Sequence, residues 1–144
     1  MARYLADSSI WASARQGGRP DIAEKLALRF ELDEVCTCAP VVLEVMHRAR
    51  TGREYEAQRE RFFAPLEWVA LDDRAGRRAV EVQRALVGGS HGNHLRPAVD
   101  YLIAACAELA EPAKTLWSFD RDLRVICEHT GQPYEAEASA GPGR

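Results

Sequence analysis

The sequence predicts an α/β protein with a short parallel central sheet of four to five strands flanked by helices. Two observations carry this. Short apolar runs are separated by longer segments of helical periodicity, which argues for a parallel α/β sheet. Single acids also stand where the apolar runs meet helix starts or loops.

The elements follow in order. Tyr4 to Ala6 is a short apolar strand, and Ser8 to Arg15 a helix with Ser8 or Ser9 as its cap. Gly17-Gly18 breaks that helix. Pro20-Asp21 opens a second one running to about Leu32, with Ile22, Leu26 and Phe30 on one face. Glu34 to Thr37 is a strand, and Pro40 lies in the first turn of a helix reaching about Arg50. After Gly52, Arg53 to Phe63 reads as a charged helix that Pro65 stops before a strand at Trp68 to Leu71. Asp72-Asp73 caps a helix to about Leu86. Gly88 to Asn93 is an open loop. Val99, Leu102, Ile103, Cys106, Leu109 and Ala110 recur at helical spacing, which makes 98–110 a helix with one buried face. Lys114 to Phe119 is the strongest strand, Leu123 to His129 the last helix, and Pro133 to Glu135 a short edge strand. Residues 1–135 therefore read as one domain. Residues 136–144, rich in Ala, Gly, Ser and Pro, read as a disordered tail.

The 144 residues, 47% hydrophobic and 28% charged, suffice to bury a core. No apolar stretch approaches the roughly 20 residues of a membrane span, and the N-terminus lacks a signal-peptide pattern, so a cytoplasmic location is expected. Cys36, Cys38, Cys106 and Cys127 lack the ligand-pair spacing of a zinc site and read as small buried hydrophobes. A formal net charge of −3 does not exclude a nucleic-acid partner, because catalytic acids offset basic patches. His47, Arg48, Arg50 and Arg53 form one such patch; Arg74, Arg77, Arg78 and Arg84 line another. All but Lys25 and Lys114 of the 19 basic residues are arginine, whose fork suits phosphate. Trp68 and Trp117 read as core, whereas Trp11 is open to core or base stacking.

Asp7, Glu44, Asp100 and Asp120 carry the functional signal. Each is embedded in apolar sequence: Tyr4-Leu5-Ala6-Asp7, Val41-Val42-Leu43-Glu44, Ala98-Val99-Asp100-Tyr101-Leu102 and Leu116-Trp117-Ser118-Phe119-Asp120. A carboxylate there is costly unless it is paired or binds a cation. Gathered beyond the carboxyl ends of parallel strands, four of them form an all-oxygen site suited to Mg²⁺ or Mn²⁺. Asp73, Glu81, Glu108 and Glu128 read instead as solvated helix faces.

The order and spacing of these acids, with Asp100-Tyr101-Leu102-Ile103-Ala104-Ala105 and Phe119-Asp120-Arg121-Asp122-Leu123, resemble the PIN-domain ribonucleases, most closely the VapC toxins of bacterial toxin–antitoxin pairs. The resemblance spans nearly the whole chain. It departs at Ser8, where threonine is commoner, and at Leu123, where phenylalanine is commoner. It implies a PIN-like fold and a metal-binding quartet of Asp7, Glu44, Asp100 and Asp120. Asp122 is implied as an auxiliary ligand, and Ser9 and Ser118 as hydroxyls that orient the acids. It further implies an endoribonuclease that inhibits translation or growth, a homodimer, and a VapB-type antitoxin that assembles with it into a heterotetramer or larger.

The expected chemistry is metal-assisted hydrolysis of an RNA phosphodiester by one or two ions, without a protein nucleophile. Arg96 and Arg121 flank the acids, either to meet the scissile phosphate or to balance the acidic cluster. His91 and His94 read as members of a surface loop in preference to a metal pair. An Asp-x-Asp phosphotransferase is disfavoured because its pair belongs after the first strand, and a duplex-gripping DNA nuclease because the chain lacks extra helices. The remaining alternative is a non-catalytic PIN-like RNA-binding or scaffold module.

Overall fold

The computed structural model describes residues 1–16, 18–89 and 95–139. Five parallel strands form the sheet: β1 (Tyr4–Ala6), β2 (Val35–Thr37), β3 (Glu67–Trp68), β4 (Thr115–Ser118) and β5 (Tyr134–Ala136), in the order β3-β2-β1-β4-β5. The expected parallel sheet with flanking helices is therefore present. The chain winds outward from β1 to β3, then returns to the centre for β4. β1 and β4 are neighbours in register, Leu5 beside Leu116 and Ala6 beside Trp117. The order reverses at this pair, which leaves a crevice beyond their carboxyl ends.

Among the described residues, seven α-helices pack around the sheet: α1 (Ser8–Arg15), α2 (Pro20–Glu31), α3 (Ala39–Met46), α4 (Gly52–Gln58), α5 (Asp73–Val87), α6 (Ala98–Leu109) and α7 (Arg121–Thr130). The central strands are covered on both faces, so Leu5, Ala6, Cys36, Leu116 and Trp117 are fully buried. Two polar side chains at the margins of this core are well partnered. The Trp117 indole N–H donates to Glu137 Oε1 at 2.9 Å, and the Arg29 guanidinium lies 4.4 Å from its ring. Lys114, 2% exposed at its side chain, donates to Ala2 O at 2.7 Å and pairs with Glu67 Oε1 at 3.1 Å. All four cysteines are buried and free. Gly131 closes α7 with φ 76°, a left-handed conformation that favours glycine.

Several elements differ from their sequence reading. The charged helix after Gly52 is α4 followed by a π-helical turn, Arg59–Phe63, which places both Phe63 and Phe62 against Trp11, at centroid distances of 4.9 and 6.0 Å. Trp11 is core, at 2% exposure. Trp68 is not: it is 48% exposed on the two-residue edge strand β3, its N–H bonded to Phe63 O. α3 ends at Met46, four residues early. Glu108 is not solvated, because Arg78 reaches across from α5 and binds both its oxygens at 2.9 Å. Chain order also continues past the expected start of the tail. Ala136 ends β5, Glu137 N donates to Ser118 O, and Glu137 pairs with Lys25 at 2.5 Å. Residues 140–144 lie outside the described residues, as do His91 and His94.

Candidate metal centre

The switch-point crevice collects the acids because of how each adjoining helix begins. Asp7 follows β1 and N-caps α1, its Oδ1 accepting from Ser9 N at 2.5 Å. Asp120 follows β4 and N-caps α7 the same way, accepting from Asp122 N at 2.7 Å. Neither Ser8 nor Ser9 is the cap of α1. Asp100 lies in the first turn of α6, where the helix dipole favours negative charge. Glu44 reaches the crevice from the second turn of α3, so a position near a helix start does not account for it.

Two hydroxyls stitch the strand ends together. Ser118 Oγ donates to Asp7 Oδ2 and accepts from Asp120 N at 2.8 Å. Ser9 Oγ donates to the same Asp7 oxygen at 3.0 Å and accepts from Phe119 N at 3.1 Å. One oxygen atom thus positions acids from two strands. Tyr134 adds a bond from its hydroxyl to Asp120 O at 3.1 Å. No signal in the sequence marks Tyr134, since the contact depends on the pairing of β4 with β5.

The electrostatics match a cluster short of positive charge. Carboxylate oxygens of Asp100, Asp120 and Asp122 all lie within 4.8 Å of one another. Asp100 is 5% exposed, and its Oδ2 is buried without a hydrogen-bond partner among the described residues. Its pKa is pushed up to about 8, first by burial and then by the charges of Asp120, Asp7, Glu44 and Asp122. Asp7, 2% exposed, is also raised by burial and by Asp120, against the opposing bonds from Ser118 and Ser9. Glu44 is raised by the shielding of its carboxyl and by Asp7, while the Ser8 hydroxyl favours its ionised form. All four acids therefore feel one another.

The flanking arginines differ. Arg96 is 3% exposed at its side chain, with Nε 3.7 Å from Asp122 Oδ1, and its Nε and Nη1 have no hydrogen-bond partner among the described residues. Arg121 is exposed on the first residue of α7. A donor set made wholly of carboxylates, with one buried oxygen left unpartnered, fits a hard divalent cation such as Mg²⁺ or Mn²⁺.

Residues 4–128 match the PIN domain family. The chain belongs to this family. Over 134 residues it is 30% identical to Ribonuclease VapC18 of Mycobacterium tuberculosis (strain ATCC 25618 / H37Rv), covering 92% of this chain and 93% of that protein. Among solved structures, the PIN fold here is similar to VapBC2 from Rickettsia felis bound to a DNA fragment from their promoter, with a TM-score of 0.71 and 17% identity over 93% of this chain and 98% of that one. It is also similar to DNA-bound VapBC from Salmonella typhimurium, with a TM-score of 0.69 and 18% identity over 94% of this chain and 98% of that one. VapC20 of Mycobacterium tuberculosis, described as a Sarcin-Ricin loop cleaving toxin, matches with a TM-score of 0.55 and 18% identity, over 85% of this chain and 93% of that one. Among the described residues, no helix is long and apolar enough to cross a membrane.

Proposed function

We propose that this PIN domain is a Mg²⁺- or Mn²⁺-dependent endoribonuclease, the toxin of a VapBC-type pair that inhibits translation or growth. The observation that carries the reading is the convergence of Asp7, Glu44, Asp100, Asp120 and Asp122 on one crevice, where burial first and then the neighbouring acids raise Asp100 to about 8. The likeness to Ribonuclease VapC18 supports the ribonuclease assignment. The VapBC complexes among the structural neighbours support a VapB-type antitoxin as partner; the toxin homodimer and the heterotetramer or larger assembly are part of the proposal.

Asp100, Asp120 and Asp122 are the residues that would hold the ion, with Asp7 and Glu44 facing the same charge. When bound, the ion supplies a lowered pKa for water and neutralises charge on the phosphoryl oxygens. The hydroxyls of Ser9 and Ser118 fix the Asp7 carboxylate in one orientation. Glu44, whose carboxyl binds protons more readily than an ordinary glutamate, takes the proton of the attacking water. Arg96, beside Asp122, balances the cluster and offers N–H groups to the phosphate.

Purified protein with Mg²⁺ or Mn²⁺ is expected to cut total cellular RNA into discrete fragments, and to lose this activity with EDTA or on Asp7→Asn. Cleavage surviving both would overturn the assignment. RNA bound but never cut would favour the non-catalytic alternative.

A further inference from the structure

A groove of about 300 Å³ leaves the carboxylate crevice between α1 and the end of α3. Ser8, Ser9 and Glu44 line it near the acids; Arg15, Gln16 and Arg48 line it farther out. We propose that Arg15 and Arg48 bind backbone phosphates of single-stranded RNA flanking the scissile bond. This rests on the ribonuclease reading above.

Three observations support it. The first is charge in sequence along one channel. A strand entering from the arginine end meets guanidinium forks, then hydroxyls, then the cation-binding acids. The second is availability. Arg19, Arg29, Arg59, Arg78 and Arg124 are each committed to a carboxylate, whereas neither Arg15 nor Arg48 has an ion-pair partner among the described residues. The third is placement. The Arg15 guanidinium lies 5.6 Å from the centroid of Phe62, a ring presented by the π-helical turn. A cation–π contact of this kind holds the Arg15 side chain at the groove wall. α1 packs directly against α3, so the groove follows the seam between two neighbouring helices and ends at the acids.

The test is anisotropy of a fluorescent single-stranded oligoribonucleotide about as long as a single-strand binding site, ~4–16 nucleotides. It uses the full chain in an Asp100→Asn background, so the strand stays uncut, and salt is varied between about 50 and 200 mM. Losing two phosphate contacts should make the log–log salt slope of Arg15→Gln/Arg48→Gln shallower by ~1.4, uniformly across sequences. The Arg74→Gln/Arg77→Gln pair on α5 makes the same charge change and should leave the slope unaltered. An unchanged slope in the groove pair, or an equal loss in the α5 pair, overturns the proposal. So does a groove pair that binds RNA normally but no longer captures a co-expressed VapB-type protein, since the channel then belongs to that partner. Wild-type protein that neither binds nor cuts RNA refutes the ribonuclease reading itself; wild-type cleavage with an unaltered groove-pair slope refutes only the groove assignment.

Discussion

Replacing Asp100 by Asn should stabilise the metal-free protein while removing its activity. Asp100 has its pKa pushed up to about 8 from an ordinary 3.8, so the folded state holds this proton more tightly than the unfolded chain does. Stability from this group is therefore fully present at acid pH and is lost as pH climbs from about 4 through about 8. Four pKa units at ~1.36 kcal/mol each set a ceiling of ~5–6 kcal/mol above that window. Asp7 and Glu44, both also raised, titrate together with Asp100 and share the protons, which leaves about 1–3 kcal/mol for a single substitution. An uncharged Asn escapes that cost. For a chain of this size the gain corresponds to a rise in Tm of roughly 3–10 °C. Scanning calorimetry of EDTA-treated protein near pH 8 should show it, and most of it should vanish near pH 5. Saturating Mg²⁺ should restore the wild type by ~2.7 kcal/mol at a hundredfold excess over Kd and leave the variant almost unmoved. A variant less stable than wild type at both pH values, or a gain independent of pH, would refute the reasoning.

Two further substitutions probe the supports of the site. Ser118→Ala removes the bond to Asp7 and the acceptor for Asp120 N, and should lower turnover ~10–100-fold. Because Ser118 holds the Asp7 pKa down, its loss should move the acid limb of the rate profile to higher pH; an unmoved limb would remove Ser118 from this role. Lys114→Met strands the Ala2 carbonyl and should cost about 1–3 kcal/mol in chemical denaturation, whereas an unchanged midpoint would mean that this carbonyl reaches water.

The sequence makes the site more legible than its surroundings. Asp7 and Asp120 are visible because an acid directly after an apolar strand is both a helix cap and a crevice residue, and both roles are local. Glu44 is visible as an acid in an apolar run, but its depth in α3 depends on the path of the crevice. Trp68 misleads because an apolar run does not distinguish an edge strand from a central one. Glu108 misleads because its partner, Arg78, is 30 residues away. Ordered contacts reach past residue 135, where composition suggests the domain ends, because Glu137 is held by Lys25 and Trp117, contacts that exist only once α2 and β4 have met.

The π-helical turn makes one stretch of the chain unusually sensitive to length. In a regular helix, successive side chains point about 100° apart, so two adjacent rings seldom serve the same neighbour. The widened turn at Arg59–Phe63 lets Phe63 fill the core under Trp11 while Phe62 touches the same indole and lies beneath Arg15. Excising any one residue there would restore regular winding and rotate one ring away from its neighbour. The packing of this segment therefore depends on the number of residues as well as on their identity, and an apolar exchange at Phe62 should be tolerated more readily than a single deletion beside it.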